Sequence, residues 1–382
     1  MRIASRKTPD LDAVRTALAS VQDPEIHRPI TELGMVKDVS ADPHGAVTVQ
    51  VWLTVAGCPM RDQITRDVTA AVERVEAVTA VRVELDVMSA EQRKALQRQL
   101  RGGTAEPEIP FAKPESLTRV FAVASGKGGV GKSSVTVNLA AALQKRGLSV
   151  GVLDADVYGH SVPRMLSVTG RPTQVEKMIM PPEAHGIKVM SVGMFTEGNA
   201  AVAWRGPMLH RVLQQFLADV FWGELDVLLM DLPPGTGDIA ISVAQLVPTA
   251  EILIVTTPQL AAREVAERAG SIALQTHQRI AGVVENMSWM TLPDGSRIEP
   301  FGAGGGQAVA DSLSQLTGAT VPLLGSIPLD VALREGGDDG HPLVLSDPDS
   351  PAAAALLQIA DGLAVRRRGL AGRTLSLTPV QH

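Results

Sequence analysis

Cysteine is nearly missing: Cys58 is the only one in 382 residues. That excludes an internal disulfide and any metal site needing two thiolates from one chain. The eight histidines are scattered, with no two spaced as a ligand pair. A metal cluster would therefore have to be shared between chains or be absent. No apolar run approaches the roughly 20 residues that a membrane-spanning helix requires. The amino terminus, Met-Arg-Ile-Ala-Ser-Arg-Lys-Thr-Pro-Asp, lacks the apolar centre of a signal peptide. The expectation is a cytoplasmic protein without a membrane partner. A basic excess is lacking too: the net charge of −6 leaves no electrostatic footprint for nucleic acid. Internal repeats and long low-complexity tracts are likewise missing.

What is present reads as a soluble globular chain, 45% hydrophobic and 20% charged, with room for two to three domains. Its organising stretch is 119–140. Val120 to Ala124 has strand character, and Val135, Leu139 and Leu143 fall at helical spacing. The glycines between them fill a strand-to-helix turn. Gly126, Gly131, Lys132 and Ser133 satisfy G-x-x-x-x-G-K-[ST], a phosphate loop. Gly126, Gly128, Gly129 and Gly131 open torsions closed to other residues and remove Cβ atoms, so that main-chain N–H groups can face phosphate oxygens. The helix that follows adds the positive end of its dipole. Lys132 is expected along the β- and γ-phosphates and the Ser133 hydroxyl on Mg2+. Val130 and Ser134 complete the nucleotide-binding set.

Two further strands carry carboxylates to the same rim. Ser149 to Leu153 ends in Asp154-Ala155-Asp156, and Leu225 to Met230 ends in Asp231-Leu232-Pro233-Pro234-Gly235-Thr236-Gly237-Asp238. Acidic residues at the carboxyl ends of parallel strands lie where α/β sheets bind ligands. Asp231 is the Walker B candidate for Mg2+, and Gly235 can offer its N–H to the γ-phosphate. Strands alternating with helices from 120 to 365 predict an α/β fold, a doubly wound parallel sheet in a P-loop NTPase domain.

The string Gly-Lys-Gly-Gly-Val-Gly-Lys-Ser at 126–133 resembles the deviant phosphate loop of the family containing the Min and Par partition ATPases, nitrogenase iron protein and the Mrp/ApbC iron–sulfur carriers. The resemblance implies that Lys127 reaches across a homodimer interface to the partner's nucleotide. It further implies that Asp156, in the first switch, positions or polarises the attacking water. Lys127, Lys132 and Asp156 thus form the expected catalytic set. Asp-Leu-Pro-Pro-Gly-Thr-Gly-Asp at 231–238 is similar to the Mrp group in particular. In relatives an asparagine at Asn286 reads the base; tryptophan at 289, where guanine binders carry aspartate, favours adenine and hence ATP. The resemblance further implies that the adenine ring packs near the strand end Gly325 to Asp330, which holds Pro328, and the glycines of 302–306 resemble the family's Phe-Gly-x-Gly-Gly segment.

Ahead of this unit, residues 1–100 read as a small α+β domain, joined by a polar linker at 101–114 to an ATPase unit at 115–365, with a basic tail at 366–382. Within it, a helix is predicted over Leu11 to Val21, strands over Ala46 to Leu53 and Val81 to Val87, and a helix from Met60. Cys58 precedes that helix, where the dipole favours a thiolate; a small buried hydrophobe is the other reading. Asp23-Pro24-Glu25-Ile26, Leu33-Gly34-Met35-Val36 and Gly57-Cys58-Pro59 resemble the SufT/PaaD-like domain of iron–sulfur assembly, which also occurs fused ahead of Mrp-type ATPases.

The resemblance covers roughly 350 of the 382 residues. It implies an ATP-hydrolysing, Mg-dependent iron–sulfur cluster carrier or assembly protein, a homodimer serving apo client proteins or assembly factors. One departure stands out. Where many Mrp/ApbC carriers have Cys-x-x-Cys, Trp289 to Ile298 contains no cysteine, so a cluster would need Cys58, other ligands or a partner. The alternative is an ATP-dependent dimerisation switch that recruits a protein partner without carrying a cluster.

Overall fold

The computed structural model describes residues 8–54, 60–100, 108–113, 115–156, 159–195, 206–235, 238–259, 268 and 271–364. They form two compact units. The first takes the described residues up to Thr118 together with Val168–Ala184 and Lys188–Leu225. The second takes Arg119–Ser167, His185–Ile187 and the described residues from Asp226 onward.

In the first unit, Val36–Ala41 pairs antiparallel with Ala46–Leu53, which pairs parallel with Ala80–Val87. The sequence Ala-Val-Thr-Val-Gln-Val-Trp-Leu explains the middle strand. Side chains alternate between faces, and Val47, Val49, Val51 and Leu53 fall on the buried one. Parallel neighbours need a crossover, supplied here by the helix Arg61–Val72, whose Ile64, Val68 and Val72 pack into the same core as Val14 and Leu18 of Leu11–Leu18. That core also includes Val175, Met178 and Met180. They belong to the hairpin Thr173–Val175/Met178–Met180, which has no counterpart among the sequence expectations. Arg93 meets Glu176 of the hairpin at 2.9 Å, and the Thr173 hydroxyl donates to Glu25 at 3.1 Å.

The strand Val36–Ala41 is also an addition to the expectations. Only Val39 of Val-Lys-Asp-Val-Ser-Ala is fully buried, so an edge position on the sheet leaves little hydrophobic signal. The expected helix over Leu11 to Val21 is shorter, Leu11–Leu18, capped by the Asp10 carboxylate on the Asp12 N–H at 2.9 Å.

In the second unit six parallel strands lie in the order Leu323–Ser326, Ile280–Glu285, Glu251–Thr256, Arg119–Ala124, Val227–Asp231, Val150–Asp154. Val150–Asp154 and Val227–Asp231 are buried at every position, as strands with both faces covered must be. The sheet is the α/β, parallel arrangement expected. From Arg119–Ala124 the chain builds first to one side and then to the other, so a crevice opens beyond the carboxyl end of that central strand. Register fixes what lines it: Asp231 stands level with Val123 on one side and Asp154 on the other. Among the described residues no helix is long and apolar enough to cross a membrane.

Candidate nucleotide site

The strand Arg119–Ala124 hands over to the helix Lys132–Lys145 through the glycine loop. Gly131 is the helix N-cap at φ 78°, in the left-handed region, and makes no side-chain cap bond. Its missing Cβ matters twice over, because a methyl there would lie 2.3 Å from the Asn286 amide nitrogen. Gly129 is also left-handed, at φ 79°. The Ser125 hydroxyl donates to the Lys127 carbonyl at 3.0 Å and tightens the start of the loop.

Lys132 begins the helix and is almost wholly buried, with its ammonium 2.7 Å from Asp231 Oδ2. Ser133 donates its hydroxyl to the same oxygen at 2.6 Å. Thr136, one helical turn beyond Lys132, donates to the other carboxylate oxygen, Oδ1, at 2.8 Å. Asp231 is 0% exposed, and burial of a lone carboxylate costs several kcal/mol. One cation and two hydroxyls offset that cost. The Ser133 hydroxyl and the Asp231 carboxylate are hard oxygen donors at the mouth of the loop, a donor set that suits Mg2+.

Asp154 and Asp156 sit at the neighbouring strand end, buried as well. Asp154 accepts the Asp156 N–H at 3.2 Å and the Val162 N–H at 3.3 Å, which closes the segment after the strand. Asp156 accepts the Gly159 N–H at 2.9 Å. Gly235, at φ 95°, gives its N–H to the Ser125 carbonyl at 2.8 Å, tying the Asp231 segment to the loop.

Asn286 follows the strand Ile280–Glu285 and is 2% exposed. Its amide donates to the Val130 carbonyl at 2.9 Å, so this side chain braces the phosphate loop from below. Pro328 lies on the same rim, where the Ile327 N–H donates to the Glu285 carbonyl at 2.7 Å. The Lys127 ammonium is held by Gln259 Oε1. Loop, Lys132, Ser133, Asp231, Gly235 and Asn286 are therefore brought together, whereas Cys58 lies outside the described residues. Among those, no group of three or more His, Cys, Asp or Glu is placed to hold a metal ion.

Three contributors carry no motif signal. Thr136 is visible only as the residue four positions after Lys132 on one helix face. Gln259 belongs to a Thr-Thr-Pro-Gln strand end with no evident role in sequence. Glu285, 5% exposed, accepts the Gly306 N–H at 2.6 Å at the start of Gly305–Thr317. A Cβ on Gly306 would lie 2.7 Å from Glu285, and one on Gly305 2.5 Å from the Pro258 carbonyl. Close packing against strand ends, and no second phosphate site, accounts for those two glycines.

The stretch Trp289 to Ile298 is a small hairpin, with Met290–Thr291 antiparallel to Arg297–Ile298. The Arg297 guanidinium lies 4.9 Å over the Trp289 ring.

Residues 116–364 match the family model described as NUBPL iron-transfer P-loop NTPase, and residues 11–85 match that of an iron-sulfur cluster assembly protein. An iron-sulfur cluster carrier protein of Mycobacterium tuberculosis is 68% identical over 370 residues, 97% of this chain and 97% of that protein. A protein of the same name from Deinococcus radiodurans is 44% identical over 375 residues, 97% and 98% of the two chains. Among solved structures, a nucleotide-binding protein of Archaeoglobus fulgidus in complex with ADP is 34% identical, with a TM-score of 0.52 over 62% of this chain and 90% of that one.

Proposed function

Because the chain belongs to the NUBPL iron-transfer P-loop NTPase family, we propose that it is a cytoplasmic homodimer that binds and hydrolyses ATP with Mg2+ to carry or assemble iron–sulfur clusters for apo client proteins or assembly factors. The observation that carries the nucleotide half is the Asp231 carboxylate, buried yet facing Lys132 at 2.7 Å and Ser133 at 2.6 Å beside the glycine loop. The amides of Gly126 to Ser134 receive the phosphates, and Lys132 follows the β- and γ-oxygens. Ser133 and Asp231 hold Mg2+, which supplies charge neutralisation at the phosphates. Asp156 orients the water, and Asn286 and Pro328 flank the base; Gly235 senses the γ-phosphate only by moving its N–H from the Ser125 carbonyl, where it sits at 2.8 Å, to the phosphate. Lys127 crosses to the twin subunit's nucleotide. Phosphoryl transfer asks mainly for positioning and charge, which this set provides.

The cluster half rests on the family and on relatives named iron-sulfur cluster carrier protein. As cargo, a cluster has no thiolate pair in this chain, so two copies of Cys58 or a partner's sulfur would ligate it. Anaerobic reconstitution with iron and sulfide tests this. The wild-type dimer should bind iron with a charge-transfer band, and Cys58→Ala should lose both. Absence of iron and band from both proteins would remove the carrier reading.

The cysteine-free hairpin at Trp289 to Ile298 favours a second reading, an ATP-dependent dimerisation switch that recruits a protein partner. Light scattering with ATP separates the parts. Lys127→Ala should retain nucleotide and stay monomeric; a normal ATP dimer in that variant would end the cross-subunit role of Lys127.

A further inference from the structure

Thr136 is a threonine in the interior of the helix Lys132–Lys145, 0% exposed and flanked by the buried Val135 and Val137. A buried threonine in a helix commonly turns its hydroxyl onto the carbonyl four residues back, and the Lys132 carbonyl is indeed 2.9 Å away. Here it has a second acceptor, Asp231 Oδ1 at 2.8 Å. A hydroxyl has one proton to give, and an ionised carboxylate is the stronger acceptor.

The two oxygens of Asp231 consequently have separate tasks. Oδ2 takes Lys132 and Ser133 at the loop, whereas Oδ1 is tied back to the helix. A carboxylate anchored by one oxygen cannot swing about its Cβ–Cγ bond, so the other stays aimed at the loop. We propose that Thr136 is a positioning residue that fixes the Asp231 carboxylate so that Oδ2 faces the Mg2+ carried with the nucleotide. The inference rests on the nucleotide reading of this site. It assigns the residue a task in metal affinity, beyond filling space between helix and sheet.

The test uses the full chain and ADP as the probe, with affinity measured calorimetrically in excess Mg2+ and again in EDTA. Thr136→Val keeps the shape and removes the hydroxyl; Thr136→Ser keeps the hydroxyl. In the wild type, Mg2+ should tighten ADP binding. Thr136→Val should lose about tenfold of that enhancement, since hydrogen bonds to charged groups are the stronger ones, while its affinity in EDTA stays within about twofold. Thr136→Ser should restore the enhancement. Thr136→Ala, a second hydroxyl deletion, must shift the same way as Thr136→Val and keeps the test open if the valine variant folds poorly.

An unchanged Mg2+ enhancement in the hydroxyl-free variants would overturn the proposal, as would an equal loss of affinity in EDTA, which marks a merely structural threonine. A wild type whose ADP affinity ignores Mg2+ would overturn the underlying site reading itself.

Discussion

Asp23 in the first unit and Asp231 in the second are both buried carboxylates, and they are satisfied in different ways. Asp23 accepts the N–H groups of Glu25 and Ile26, each at 2.9 Å, from its own turn. Asp231 is held by side chains of another element, Lys132, Ser133 and Thr136. A carboxylate bound to local backbone shapes that backbone, and its N–H partners cannot leave without undoing the turn. One bound by an ammonium and a hydroxyl from another element can take a cation in their place, freeing the ammonium for phosphate, without unfolding anything. The strands repeat the contrast. Ala46–Leu53 alternates between half-buried and buried residues, whereas Val227–Asp231 is buried throughout and delivers its carboxylate to a rim.

The most severe way to break this contrast is Lys132→Ala. It removes the ammonium from a buried carboxylate and from the phosphates, and steady-state ATPase assays should show a loss of about 10³-fold. Turnover within tenfold of wild type would place the chemistry elsewhere. Asp156→Ala sharpens it from the neighbouring strand. Nucleotide binding by fluorescence titration should persist while hydrolysis falls by about 10²-fold.

Met180→Ala addresses the first unit's core through a residue distant in sequence from its sheet. The unfolding transition followed by circular dichroism should lose about 2–3 kcal/mol, with turnover at low temperature unaltered. The smallest effect belongs to Asp23→Asn. Burial holds the Asp23 carboxyl above its ordinary 3.8, although the Ile26 and Glu25 N–H groups pull it down. The folded protein then keeps a proton that the unfolded chain has released, so stability falls as pH rises through the window above 3.8. An asparagine accepts the same two N–H groups without titrating. Thermal melts should therefore show the variant gaining on the wild type as pH rises through that window, by under about 1 kcal/mol.

The nucleotide site was legible because every motif sits where one periodicity gives way to another. Gly126 to Ser133 interrupts a strand and starts a helix, and Asp231 ends an apolar run. Such junctions are local, and local sequence records them. Asn286 was legible as a strand-end residue but not as the brace beneath Val130, since that bond joins segments far apart in the chain. The edge strand Val36–Ala41 and the hairpin Thr173–Met180 gave too short or too polar a pattern. Least visible of all was the membership of Val168–Ala184 in the first unit, which depends on tertiary packing alone.

That membership bears on how the protein is born. A nascent chain that has just exposed its first hundred residues owns the three-stranded sheet of its leading unit and the helices Leu11–Leu18 and Arg61–Val72, yet Val175, Met178 and Met180 are still to be translated. The glycine loop and the strand ending at Asp154 leave the ribosome ahead of those three residues. Maturation of the amino-terminal piece must await a stretch encoded after the glycine loop, and a gene cut after residue 100 would deliver a fragment with part of its interior missing.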